Sequence, residues 1–144
     1  MYMCLVTWTA YGGAVTSMSL GDDQLSAGRE AITDAAVAAA RRVATRHLMA
    51  GMPGLGSSEA EEAVVSALID RDSASHPWIS GCERAWGLLV LQLLAGTLSD
   101  LRDPVRDARE RGATVAEIAA AIGVSSQAIY STYAEQVVRK KRSK

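Results

Sequence analysis

The chain has 144 residues, with 15 Lys+Arg against 16 Asp+Glu and a formal net charge of −1. That length suits one domain of ordinary size, or a small domain carrying a smaller one, and excludes most large enzyme scaffolds. With 49% hydrophobic and 22% charged residues it can bury a core, which excludes disorder throughout. The charge is divided unevenly: residues 1 to 99 hold 6 basic against 10 acidic residues, and residues 100 to 144 hold 9 against 6. The basic end is therefore the C-terminal one.

Alanine occurs 25 times and phenylalanine not at all, a composition that packs best as helices. Arginine outnumbers lysine 12 to 3, as in chains from GC-rich coding sequences. Cys4 and Cys82 stand 78 positions apart with no histidine at ligand spacing, so the sequence supports neither a disulfide framework nor a zinc site. The first residues lack a basic region ahead of an apolar run and make a poor signal peptide. The longest apolar stretch, Ala85 to Leu98, is too short for the roughly 20 residues that cross a bilayer. The expected location is the cytoplasm, with no membrane contact.

Residues 1–21 read as a flexible leader, because their β-leaning part has no partner strand, and Met18 is an alternative candidate start. From residue 22 the spacing of Leu25, Ile32, Ala36, Ala39, Val43 and His47 predicts an amphipathic helix ending near Met49. Gly51, Pro53, Gly54 and Gly56 break it. Ser58-Glu59-Ala60-Glu61 is a capping-box sequence, and it opens a helix with a stripe of Val64, Val65, Leu68 and Ile69. A second box, Ser80 to Glu83, precedes the run Ala85 to Leu94. A helix apolar on all sides must run through the middle of a bundle or offer one side to a second subunit, and a homodimer through Ala85 to Leu98 is the expectation.

After Leu101 the character changes. Asp103-Pro104 predicts an N-cap and first position for a short charged helix, Val105 to Arg111, stopped by Gly112. Thr114-Val115-Ala116-Glu117 is a third box and opens a helix ending at Gly123. Ser125 caps a last helix from Ser126 to about Arg139, and a basic tail follows. The fold class is all-α: an N-terminal helical bundle and oligomerisation region over residues 22–101, then a trihelical unit over residues 102–144.

The stretch Thr114 to Tyr133 resembles the helix-turn-helix of phage Cro and repressor proteins, and equally the helix-turn-helix tail of serine recombinases. Ala119 is small where two helices cross, Gly123 supplies the turn, and Ile118, Ile122, Val124 and Ile129 close a small core, with Tyr133 continuing it. With the preceding helix the resemblance spans residues 103–139. It implies double-stranded DNA as partner, with base edges met by Ser125, Ser126, Gln127, Tyr130 and Ser131 at the start of the second helix. No basic residue lies between Arg111 and Arg139. Backbone contacts are therefore expected from Thr114, from Arg102, Arg106, Arg109 and Arg111, and from Arg139, Lys140, Lys141 and Arg142.

The function implied is a DNA-binding transcriptional regulator, of phage or mobile-element type and dimeric. The alternatives are a helical protein-interaction adaptor with a structural helix-turn-helix, and a DNA-packaging or recombination accessory factor. Arg41, Arg42, Arg46 and His47 suit the negative end of their helix better than a phosphate patch. Trp78 and Trp86 read as core or interface anchors, and His76 as a loop residue. No catalytic triad, glycine-rich phosphate loop, metal set, cofactor motif or small-molecule ligand is suggested. Residues 1–100 show no alternation of strands and helices that would supply a recombinase's catalytic domain.

Overall fold

The computed structural model describes residues 19–52 and 58–138. Residues 1–18 of the expected leader, the Ser58 side chain with its capping box, and the basic tail 139–144 lie outside the described residues. Among the described residues there are seven helices and no strand: α1 Asp22–Ala50, α2 Ser58–Asp70, α3 Ile79–Ala95, α4 Arg102–Glu110, α5 Val115–Ile122, α6 Ser126–Thr132 and α7 Ala134–Val137. None of them is long and apolar enough to cross a membrane. By contacts the chain divides into two units, Met1–Ile32 and Thr33–Lys144. In the first, the opening turns of α1 carry Asp22 and Asp23 at the positive end of the helix dipole, and the Gln24 amide accepts the Gly21 N–H at 3.0 Å.

The second unit is built around α3. Its Trp86, Leu91 and Leu94 are fully buried, and α2, α4 and α5 pack against it. Most of the apolar run is enclosed by the other helices; of its leucines Leu88 and Leu89 are half-buried and Leu93 is exposed, at 40%. Leu68 of α2, Val105 and Ala108 of α4, Ile118 of α5 and Ile129 of α6 join the same core. α1 reaches it at Thr45, whose hydroxyl accepts the Trp86 indole N–H at 3.0 Å.

α1 buries a different face from the one expected. Ala40, Ala44 and Thr45 are buried, whereas Ile32 and Val43 are 69% and 46% exposed, and Leu25, Ala39 and His47 are also exposed. Small side chains at 40, 44 and 45 let the α1 backbone approach the bulk of Trp86, and this outweighs the larger apolar groups on the other face. On α2, Val64, Val65 and Leu68 are buried as expected, but Ala67 replaces Ile69, which turns outward. The exposed ion pairs Arg46–Glu61 (3.0 Å) and Arg42–Glu62 (3.4 Å) join α1 to α2 and add little stability.

Two expected caps do not form. α3 starts one residue before Ser80, whose hydroxyl donates to the Pro77 carbonyl instead. α4 starts at Arg102, so Asp103 lies within its first turn, where it pairs with Arg106 at 3.1 Å. The final helix is also shorter than predicted. It stops at Tyr133 (φ −121°, ψ 29°) and restarts as the single turn α7, which returns Val137 to the core against α4.

Candidate nucleic-acid interface

α5, a three-residue turn and α6 are set by local chemistry written in the sequence. Thr114 Oγ1 accepts the Glu117 N–H at 3.2 Å while the Glu117 carboxylate accepts the Thr114 N–H at 2.8 Å, so two orphan donors of α5 are satisfied reciprocally. Gly123 ends α5 at φ 85°, in the left-handed region that glycine enters without steric cost. Ser125 Oγ then accepts the Ala128 N–H at 3.1 Å and caps α6. Ala119 is buried at the crossing, Ile118 and Ile129 are fully buried, and Ile122 and Tyr133 are half-buried. Val124 departs from expectation: it is 44% exposed and lies on the rim of the turn, not in the core.

The five residues expected to meet bases share one exposed edge. Ser125, Ser126, Gln127 and Ser131 are exposed and Tyr130 is 52% exposed. Ser131 donates to the Ala128 carbonyl, and the Ser125 oxygen is partly committed to its cap. Among the described residues the Gln127 amide has no hydrogen-bond partner, which suits a bidentate contact, the geometry by which glutamine recognises adenine. Val124 adds an apolar group to this edge. Sequence reasoning assigned it to the core because it sits at an apolar position of the motif.

The expected backbone contacts fare differently. Arg111 is 5% exposed and is a core residue. Its guanidinium donates to Leu68 O at 2.7 Å and to Asp107 at 2.8 Å, lies 3.6 Å from Glu83, and stands 4.6 Å over the Trp86 ring. A buried cation needs such a set of partners, and holding them leaves it no way to reach a phosphate. Arg109 is half-buried and donates to the carbonyls of Ala113 (2.8 Å) and Val137 (3.2 Å), tying α4 to α7. Arg106 is exposed but paired with Asp103. Arg102 pairs with Asp100 at 2.7 Å, and this hydrogen bond pulls the Asp100 carboxyl down to about 2.

Thr114 is exposed, but the N-terminus of α5 beside it is already filled by the Glu117 carboxylate. That carboxyl is held below the usual glutamate range, chiefly by the Thr114 N–H and further by Arg84, 2.9 Å away. Residues 102–138 contain four arginines and five carboxylates. Arg139, Lys140, Lys141 and Arg142, the remaining expected contacts, lie outside the described residues.

Among the described residues no group of His, Cys, Asp and Glu is placed to hold a metal ion. Cys82 is a free, buried thiol whose burial raises its pKa, the setting of an inert cysteine. No protein-family model, no curated protein and no solved structure matches the chain.

Proposed function

We propose that the chain is a DNA-binding regulator whose α5, Gly123 turn and α6 act as a helix-turn-helix, carried at the C-terminal end of a helical oligomerisation region. The observation that supports this reading is the single edge of exposed, uncharged hydrogen-bonding groups, Ser125 to Ser131, at the start of a helix capped by Ser125. α6 enters the major groove by this edge, and Gln127 reads a base. The arginines of α4 are engaged within the protein, so attraction to phosphate falls to the basic tail, with five cations in residues 139–144. One such module reads few base pairs, and two copies on half-sites about 34 Å apart supply the remaining affinity.

The internal engagement of Arg102, Arg106, Arg109 and Arg111 favours one second reading, a helical adaptor whose α6 edge binds protein. A salt titration of binding to generic duplex DNA separates the two. The DNA-binding reading requires affinity that falls steeply with salt, with a slope that flattens when residues 139–144 are removed. Absence of salt-sensitive binding by the full chain leaves the adaptor as the better account.

A further inference from the structure

A cleft of about 530 Å³ opens where α1 faces the segment between α3 and α4, a volume in the range of small-molecule sites. α1 contributes Asp34, Val37, Ala38 and Arg41, and Leu98 and Pro104 face them. Asp34 and Arg41 are seven residues apart, two helical turns, and so lie on one face with a rise of about 10.5 Å between them. Val37 and Ala38 sit between the two charges and form an apolar floor with Leu98 and Pro104.

The other carboxylates of the cleft have cations of their own: Asp100 is paired with Arg102 and Asp103 with Arg106. Among the described residues, neither the Asp34 carboxylate nor the Arg41 guanidinium has a side-chain partner, and the two do not pair with each other. Side chains of a helix lean toward its N-terminus, Asp34 away from Arg41 and Arg41 toward Asp34, and because the arginine is the longer the gap between the two charges is less than the helical rise.

We propose that this cleft binds a small zwitterion with an apolar body, an α-amino acid with an aliphatic side chain. Its ammonium pairs with Asp34, its carboxylate takes a forked contact from Arg41, and its side chain lies on Val37, Ala38, Leu98 and Pro104. The spacing accommodates this class. The ammonium and carboxylate of an α-amino acid stand about 3 Å apart. With one charge-assisted hydrogen bond of about 2.8 Å at each end, the bridge spans about 9 Å. The site is independent of whether the α6 edge binds DNA or protein.

Calorimetric titration of the full chain with L-leucine, leucinamide, N-acetyl-leucine and leucyl-leucine tests the proposal. L-leucine is expected to bind saturably, with leucinamide and N-acetyl-leucine each weaker by about tenfold or more, and leucyl-leucine weaker than L-leucine. Asp34→Asn should weaken L-leucine by a factor similar to N-acetylation and should leave the already weak N-acetyl-leucine unchanged. Arg41→Gln should do the same with respect to leucinamide. Because the analogue series uses the unaltered protein, it reads the site even where a variant misfolds. No saturable heat with L-leucine at millimolar concentration, equal binding by the neutral analogues, tighter binding of leucyl-leucine, or unchanged affinity in folded variants would each overturn the proposal.

Discussion

The Trp86 indole N–H donates to the Thr45 hydroxyl across 3.0 Å, and both side chains are wholly shielded from solvent. Thr45 passes its own proton to the Arg41 carbonyl one turn earlier, at 2.8 Å, so its oxygen is free to act as the acceptor that Trp86 needs. Thr45→Val keeps the shape and removes the acceptor. The stranded indole N–H should lower stability by about 1 to 3 kcal/mol, whereas Thr45→Ser should lose less. Urea unfolding followed by Trp fluorescence reads both, and a neutral Thr45→Val would show that the bond contributes nothing.

Gly123 has open space around the position of a Cβ, so a side chain there meets only the cost of its positive φ. Gly123→Ala should destabilise by about 1 to 2 kcal/mol, with Gly123→Asn less affected because asparagine tolerates the left-handed region. Thermal unfolding of the two variants side by side gives the order, and equal values would argue against a conformational origin.

Glu117 has a carboxyl depressed first by the Thr114 N–H and further by Arg84. A group whose folded pKa lies below its unfolded value adds stability that is complete above the ordinary glutamate range and disappears as pH falls through the folded value. Glu117→Gln retains a cap but not the charge, so its melting temperature should fall below that of the parent chain at neutral pH and meet it in acid. A gap unchanged down to pH values below the carboxylate range would assign the effect to something other than ionisation.

If α6 reads bases, Gln127→Ala should weaken binding to a selected DNA site by about 1 to 3 kcal/mol and random duplex hardly at all. Removal of residues 139–144 should weaken both equally. Selection from a random oligonucleotide pool supplies the site for this comparison, and equal losses on both DNAs for Gln127→Ala would remove glutamine from the readout.

Leu91 is fully buried, so Leu91→Glu unfolds the protein and says nothing of assembly. Leu93 is 40% exposed on the same helix, and Leu93→Glu is the substitution that separates folding from association. For a dimer formed through α3 it should yield a folded monomer by circular dichroism and sedimentation. A parent chain that sediments as a monomer at high micromolar concentration would exclude that assembly.

α5 and the start of α6 are legible because their signals are local: the Thr114–Glu117 box, Gly123 and the Ser125 cap act within a few residues of where they are written. α1 shows the converse. Six alanines among residues 31–40 leave no contrast between faces, and the buried side was chosen by Trp86, which lies 41 positions beyond Thr45. Arg111 misled in the same way, because an arginine beside Arg109 and Gly112 reads as surface. Only Asp107, four residues earlier, hinted at a pairing, and the Leu68 carbonyl that completes its environment comes from a distant helix. The break at Tyr133 depends on Val137 finding α4, which no local pattern announces.

Gly87 lies where α3 passes the stem of Arg111. A Cβ at this position would meet Arg111 Cδ at 3.0 Å and the Ala108 Cα at 3.5 Å. A methyl group there would make the Arg111 stem give by a few tenths of an ångström, and with it the guanidinium that stands above Trp86 and pairs with Glu83 and Asp107. Positions 83, 87 and 111 thus form one heritable unit. In diverging copies of this chain a side chain at 87 should come with a shorter residue at 111, and Glu83 then loses its cation while Asp107 keeps Arg71 at 3.1 Å. Variation here should come as a joint exchange of three residues, with the single-step intermediates the least stable members of the series.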